Sequence, residues 1–317
     1  MTGACAIEKV GTIAGFDAGA GHRGAGPGSA RAQVHEGSIR WQLLDAGQGP
    51  CVLLLHGTGS SWTSWAQVAE RIGGSLRVLA PDLPGNGRTD PLPRGEDGIA
   101  AYARSIATLL RERDARPGLI VGHSAGAAIA ARLALDEPGG GAPAVLCVNG
   151  ALRPLAGWTA ATFLPVARLL ALHPVVPSFV AALLKADRPA VRRLLASTGS
   201  RIDEAMVDRY EHLLRDSRHV AGTLRMMAHW DLRALARDLP RLASRLTLVV
   251  AGRDRTISPR DARWIAGRVP GCDTIHLPGL GHLAHEEAPS EFASIVRKAA
   301  SARGLLPSPH RSLEPER

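Results

Sequence analysis

Residues 119–135 read LIVGHSAGAAIAARLAL and contain the strongest motif of the chain. Three apolar residues lead into the pentapeptide Gly-His-Ser-Ala-Gly, and an alanine- and leucine-rich run follows it. We therefore predict a buried strand over residues 119–121, a tight turn at Ser124 and a helix over residues 125–135. The two glycines leave room for neighbouring elements, so the serine hydroxyl can stand clear of the backbone at a helix N-terminus. This setting predicts a nucleophile at Ser124.

Short apolar runs alternate with helical segments on both sides of this turn. The predicted strands cover residues 51–55, 77–80, 119–121, 144–149, 246–251 and 274–277, and examples of predicted helices are 98–113, 125–135, 190–196 and 203–215. Most of the strands are continuous runs of Val, Leu, Ile and Ala, as expected when both faces of a sheet are covered. The alternation predicts an α/β fold with a mostly parallel sheet, right-handed crossovers and flanking helices.

One interval carries no strand signal. Residues 151–242 contain only amphipathic helical stretches, and we interpret them as a helical cap inserted between two sheet strands. Such a cap would lie over the carboxyl edge of the sheet, where α/β proteins bind ligands. The core is then formed by residues 31–150 and 243–303. The Gly/Ala-rich residues 1–30 and the proline-containing tail 304–317 are predicted to be disordered.

A serine nucleophile needs an adjacent base and a group that orients this base. His282 follows the last predicted strand and is the predicted general base. Asp254 follows the strand over residues 246–251 and is the predicted third member. Asp231 in the cap is the alternative acid, although it follows no strand. His285 is expected to face elsewhere, because it lies about one helical turn beyond His282.

An oxyanion hole needs two backbone N–H donors. The predicted donors are Ala125, directly after the nucleophile, and Thr58 in the glycine-containing loop after the first predicted strand. His56 and His123 each lie two residues before one of these donors, and we interpret them as scaffold hydrogen-bonding groups. A metal cluster of His282, His285, Glu286 and Glu287 is the alternative for this region, but the serine already accounts for His282. We predict no metal.

The composition of the chain argues against several classes of function. The net charge is +9, but arginine supplies nearly all of it and no Lys/Arg-rich block occurs, so nucleic acid is not an expected partner. The four cysteines are scattered, which favours a reducing, cytoplasmic location. No stretch is long and uninterrupted enough for a membrane helix, and the positive charge leaves peripheral membrane contact as an alternative. A G-x-G-x-x-G match within residues 19–24 opens no helix, so no dinucleotide cofactor is expected.

From Trp41 to the last helix, the sequence resembles the α/β-hydrolase superfamily, whose triads follow the chain order Ser, Asp, His. Several stretches resemble one subgroup, the magnesium-chelatase accessory hydrolases of bacteriochlorophyll biosynthesis. These stretches are His56–Gly59, Gly122–Ala128, Asn149–Leu152, Thr198–Ile202, Met226–Leu232 and Gly279–Glu287. The resemblance implies a role near magnesium insertion into protoporphyrin, with contact to chelatase subunits.

An apolar cap would suit a large hydrophobic ligand such as a tetrapyrrole, whose carboxylates could meet arginines. The candidate ligand-contacting residues are Phe163, Met226, Met227 and Trp230. The alternative is that they only pack cap helices together. Two other readings of the function stay open. One is a general carboxylesterase, a carbon–carbon bond hydrolase or a cofactor-free haloperoxidase; the other is a tetrapyrrole-binding accessory protein that does not use its triad.

Overall fold

The computed structural model of the protein describes residues 30–36, 39–137, 141–154, 173 and 175–307. One sheet of eight strands runs through this part of the chain, in the order β1-β2-β4-β3-β5-β6-β7-β8. The strands are β1 Ala30–Glu36, β2 Ile39–Ala46, β3 Cys51–Leu55, β4 Arg77–Pro81, β5 Leu119–His123, β6 Ala144–Val148, β7 Leu246–Ala251 and β8 Asp273–Leu277. From β4 to β8 all neighbours are parallel, which confirms the predicted fold class.

The first two strands, β1 and β2, were not predicted from the sequence. β1 pairs with β2 and β2 pairs with β4, in both cases antiparallel. β2 contains both buried and half-buried residues and lacks the continuous apolar run that identified the parallel strands. The predicted strands differ from the observed ones by at most two residues, the largest difference being that β5 continues through His123.

Helices cover both faces of the sheet. They are α1 Ala66–Ile72, α2 Ile99–Glu112, α3 Ala125–Asp136, α4 Val176–Ala186, α5 Arg188–Ser197, α6 Glu204–Leu214, α7 Ser217–Ala228, α8 Arg233–Asp238, α9 Pro259–Ala266, α10 Ala284–Glu287 and α11 Pro289–Ala302. Two 3₁₀ segments, Trp62–Trp65 and Leu239–Arg245, precede α1 and β7. No helix in the described ranges is long and apolar enough to cross a membrane.

The central strands divide their side chains between two cores. In β3, Leu53 and Leu55 join the cluster that contains α2 and α3 residues, whereas Val52 and Leu54 join the cluster that contains α1 and α11 residues. Successive side chains of a strand point to opposite faces, so a strand with two covered faces must be apolar throughout. All five residues of β3 are buried.

Helices α4 to α8 follow one another between β6 and β7. A third, smaller cluster joins α5 and α6 to the end of the core, and it contains Val191, Leu195, Met206, Val207, Tyr210 and Leu283. Leu283 follows the predicted base His282, so the helical interval contacts the chain right beside it. The division into a core and a cap at residues 151 and 242 stays a prediction.

Candidate active site

Ser124 lies at a strained turn between β5 and α3. Its backbone angles are φ 51° and ψ −114°, a conformation that L-residues rarely adopt. The turn is held on both sides, because the Ser124 N–H donates to Val148 O at 2.9 Å and the Ser124 carbonyl accepts from Ala151 N at 3.0 Å. A strained residue persists only where its surroundings fix it in this way, and such residues cluster at functional sites.

The two glycines of the pentapeptide have a direct steric reason. A Cβ on Gly122 would lie 2.4 Å from the carbonyl oxygen of Gly126. A Cβ on Gly126 would lie 2.5 Å from the carbonyl oxygens of both Leu55 and His56. Helix α3 therefore begins in contact with the end of β3, and this close approach brings the loop after β3 to the serine.

His282 and Asp254 are in direct contact. His282 Nδ1 lies 2.8 Å from Asp254 Oδ2, and both side chains are almost fully buried. The other carboxylate oxygen, Asp254 Oδ1, accepts the N–H groups of Thr256 at 2.7 Å and Ile257 at 2.9 Å. These bonds fix the carboxylate plane. The alternative acid Asp231 is instead half-exposed and forms an ion pair with Arg233.

The loop after β3 lies against the serine. A Cβ on Gly57 would lie 3.1 Å from Ser124 Cβ, so the backbone beside Thr58 passes directly over the turn. Within the described residues, neither the Thr58 nor the Ala125 backbone N–H donates a hydrogen bond. His56 fixes the start of the loop, since its Nε2 accepts the Leu83 N–H and its Nδ1 donates to Gly57 O, both at 2.8 Å. Burial lowers the pKa of His56 to about 3, so its imidazole is neutral.

A row of three tilted aromatic rings, those of His123, His285 and Trp65, extends from the ring of His282. The ring centroids of His123 and His282 are 4.7 Å apart, those of His123 and His285 are 4.5 Å apart, and those of His285 and Trp65 are 4.1 Å apart. Burial keeps the pKa values of His123 and His285 well below the ordinary value of 6.5. Both rings are therefore neutral, and His285 packs in the core without a hydrogen bond to any described residue.

The turn between α5 and α6 contacts both loops that carry the His–Asp pair. Thr198 O accepts the Arg255 N–H at 3.0 Å, next to Asp254. Ser200 Oγ accepts the Leu283 N–H at 2.8 Å, next to His282. Thr198–Ile202 is one of the stretches of subgroup resemblance in the sequence, but these contacts were not predicted from it.

A second set of contacts joins α6 to the core. Tyr210 donates to Glu286 Oε1 at 2.8 Å and lies 3.3 Å from Ser60 Oγ in the loop after β3. Arg209 lies 2.7 Å from Glu286 Oε2, and the Glu286 side chain is fully buried. Burial raises the pKa of Glu286 and of Tyr210, the latter well above its ordinary value. Isolated polar residues in an amphipathic helix give no sequence signal for such a buried network.

The acidic residues after His282 are occupied by protein donors. Glu287 Oε1 accepts the Gly281 N–H at 2.8 Å, and its Oε2 accepts the Arg201 N–H at 3.0 Å. Among the residues that the structure describes, no group of three or more His, Cys, Asp or Glu side chains is arranged to hold a metal ion.

The four candidate ligand-contacting residues have different surroundings. Phe163 lies outside the described residues. Met226 is 1% exposed, and its sulfur accepts the Thr58 hydroxyl at 3.5 Å. Met227 is half-buried, and Trp230 is half-buried against the core cluster that contains α2 and α3. Their role in ligand binding stays a prediction.

Residues 52–295 match the model of the alpha/beta hydrolase family. The chain belongs to this family. The match covers the strands from β3 to β8, the turn at Ser124 and the loops that carry Asp254 and His282. It confirms the resemblance to the superfamily.

Two curated proteins are similar to the chain over most of its length. The magnesium-chelatase 30 kDa subunit of Rhodobacter capsulatus is 36% identical over 270 residues, which are 84% of this chain and 93% of that protein. The 2-hydroxy-6-oxo-6-phenylhexa-2,4-dienoate hydrolase of Burkholderia cepacia is 26% identical over 271 residues, or 80% of this chain and 89% of that protein. The first similarity confirms the subgroup resemblance seen in the sequence.

Solved structures show the same fold. An esterase from Exiguobacterium antarcticum superimposes with a TM-score of 0.67 and covers 83% of this chain and 96% of its own, at 16% identity. At this identity the likeness extends to the fold alone.

Proposed function

We propose that this alpha/beta hydrolase is a serine hydrolase whose triad is Ser124, His282 and Asp254. We further propose that it acts as an accessory protein of magnesium chelatase in bacteriochlorophyll biosynthesis. The observation that carries the first part is the buried 2.8 Å contact between His282 Nδ1 and Asp254 Oδ2. The 36% identity to a magnesium-chelatase subunit over most of both chains supports the second part.

The proposed reaction is acyl transfer to Ser124 followed by hydrolysis. Ser124 Oγ attacks the ester carbonyl while His282 Nε2 takes its proton, and Asp254 stabilises the imidazolium that forms. The tetrahedral intermediate breaks its bond to the leaving alcohol, which receives the proton from His282. Water then attacks the acyl-enzyme in the same way and releases the acid.

The free N–H groups of Thr58 and Ala125 would stabilise the oxyanion of each intermediate. The first lies in the loop over the serine turn, and the second lies at the N-terminus of α3, where the helix dipole favours negative charge. Removal of one such donor typically costs 10²–10³-fold in kcat.

Turnover of a short-chain model ester tests the proposed triad. We expect Ser124→Ala or His282→Ala to lower kcat by roughly 10⁴-fold or more, with the double variant little worse, because triad members act as a unit. His285→Phe is the control, since this neighbouring histidine has no hydrogen bond to a described residue and a ring of similar size keeps the stack. A His285→Phe variant as inactive as His282→Ala would contradict the assignment of the base.

The second candidate function is binding of a tetrapyrrole by the cap, with or without catalysis. Half-buried Trp230 and Met227 offer apolar surface. Exposed Arg253 and Arg255 flank Asp254 and make no ion pair with a described residue, so they are available to ligand carboxylates.

Quenching of tryptophan fluorescence by protoporphyrin or its magnesium complex tests this candidate. We expect micromolar binding, which corresponds to about −8 kcal/mol. Trp230→Ala should weaken it, whereas Ser124→Ala should leave it nearly unchanged. The control is an alpha/beta hydrolase with a different cap, because porphyrins adsorb to many proteins. Equal binding by that control, or no effect of Trp230→Ala, would contradict the tetrapyrrole proposal and leave the hydrolase proposal intact.

A further inference from the structure

Asn149 occupies an unusual position directly after β6. Its φ is +46°, in the left-handed region that asparagine tolerates better than most residues, and it is 5% exposed. Its backbone N–H donates to Val249 O in the neighbouring β7 at 2.9 Å. The backbone from which the Asn149 side chain extends is therefore fixed between the end of β6 and β7.

The carboxamide of Asn149 donates two hydrogen bonds to the loop that carries His282 and accepts one from the end of β7. Nδ2 donates to His282 O at 2.8 Å and to Gly281 O at 3.1 Å, and Oδ1 accepts the Ala251 N–H at 2.9 Å. Ala251 ends β7, and its carbonyl accepts the Asp254 N–H at 3.3 Å. Among side chains of this size, only an amide can donate two hydrogen bonds and accept a third.

A second side chain holds the same carbonyl. His123 Nε2 lies 2.9 Å from His282 O, and since a carbonyl can only accept, Nε2 carries the proton. His123 is neutral because burial keeps its pKa well below 6.5. The His282 carbonyl thus accepts hydrogen bonds from His123, which is adjacent to Ser124, and from Asn149, which directly follows β6.

We infer that Asn149, together with His123, is a positioning residue for the reaction at Ser124, and this inference rests on the proposed triad. Asn149 does not touch the reacting atoms. It fixes the backbone of His282 relative to the end of β7, and so sets the imidazole against both the serine and Asp254. A displacement of about 1 Å in such a group can cost about 10²-fold in rate.

The test is the rate of phosphonylation by a fluorophosphonate. In this step the Ser124 Oγ–P bond forms, the P–F bond breaks, fluoride leaves and the hydroxyl proton passes to His282. We expect Asn149→Ala and Asn149→Asp to lower the maximal labelling rate by about 100-fold, with the probe concentration for half-maximal rate unchanged. Asn149→Asp removes both donors with little change in shape.

Asn86→Ala is the matched control. Asn86 is also buried, but its side chain contacts Pro84 O and Thr223 and neither catalytic loop. We expect it to lower the melting temperature about as much as Asn149→Ala while leaving the labelling rate within twofold. Folded Asn149→Ala that reacts at the wild-type rate, or an equal loss in Asn86→Ala, would overturn the inference.

If the Asn149 variants do not fold, a pair of His123 variants tests the same inference. His123→Gln keeps a donor toward His282 O, whereas His123→Leu removes it. A slow His123→Leu variant with rescue in His123→Gln supports the inference, and equal rates in the two variants overturn it. Wild-type protein that does not react at all would instead overturn the proposed triad, and this inference with it.

Discussion

At the scale of single residues, the site depends on close backbone approaches as much as on reactive side chains. Gly126 lets α3 begin against the end of β3, and Gly57 lets the loop after β3 pass over Ser124. The left-handed φ of Ser124 is held by hydrogen bonds from both sides. The position of the proposed nucleophile therefore also depends on residues that carry no functional group.

Gly126→Ala tests this point. The new Cβ would lie 2.5 Å from two backbone oxygens, so the strand end or the helix must shift. We expect a loss of about 1–3 kcal/mol in unfolding free energy and a marked loss of ester turnover, measured by urea unfolding and steady-state kinetics. Gly74→Ala is the control, since no atom lies within 4 Å of its Cβ position, and it should change stability by less than about 0.5 kcal/mol. An unaffected Gly126→Ala variant would contradict the steric account.

At the scale of elements, α6 is joined to the core by a buried ion pair beside the predicted base. Arg209 and Tyr210 both contact Glu286, four residues after His282, and Tyr210 also reaches Ser60. A buried pair of this kind adds little net stability, but loss of one partner leaves an uncompensated charge. Helix α6 is thus tied to α10 and to the loop after β3.

We expect Arg209→Met to lower the unfolding free energy by about 3–5 kcal/mol, because Glu286 would stay buried without its cation. The double variant Arg209→Met/Glu286→Met should recover most of this loss. Arg218→Met, which removes an exposed ion pair with Asp216, should cost less than about 1 kcal/mol. Urea unfolding measures all three. A double variant no more stable than Arg209→Met would show that the ion pair is not the cause.

At the scale of the whole molecule, buried ionisable groups link stability to pH. Burial lowers the pKa of His56 to about 3 and of His219 to about 4, and keeps those of His123 and His285 well below 6.5. The unfolded chain binds protons at these histidines below pH 6.5 and the folded chain does not, so stability falls as the pH falls. Two carboxyls act in the opposite direction, since burial raises the pKa of Asp82 to about 7 and also raises that of Glu286.

Each buried histidine should cost roughly 2 kcal/mol of stability at pH 5 relative to pH 7.5, so the four histidines outweigh the two carboxyls. Urea midpoints at the two pH values test this net loss. His285→Phe should reduce the difference between them, whereas His276→Gln, a change at an exposed histidine, should not. Equal midpoints at pH 5 and pH 7.5, or an unchanged difference in His285→Phe, would contradict the account.

The sequence predicted the parallel strands, the serine turn and the residues His282 and Asp254, because each has a local signal: an apolar run, a glycine pair or a position just after a strand. It missed β2, whose half-buried pattern carries no such run. The contacts of Asn149, Ser200 and Tyr210 were not predicted either, because their partners lie far away in the sequence. Hydrogen bonds of this kind follow from the assembled fold and leave no pattern in neighbouring residues.

Labelling of the folded protein by a fluorophosphonate, with the adduct located by mass spectrometry, is the most direct test of Ser124 as the nucleophile. We expect one adduct, on Ser124, that is absent from Ser124→Ala and from heat-unfolded protein, because only the folded site brings His282 and Asp254 to this hydroxyl. An adduct on another serine, or no adduct on folded protein, would contradict the assignment of Ser124 as the nucleophile.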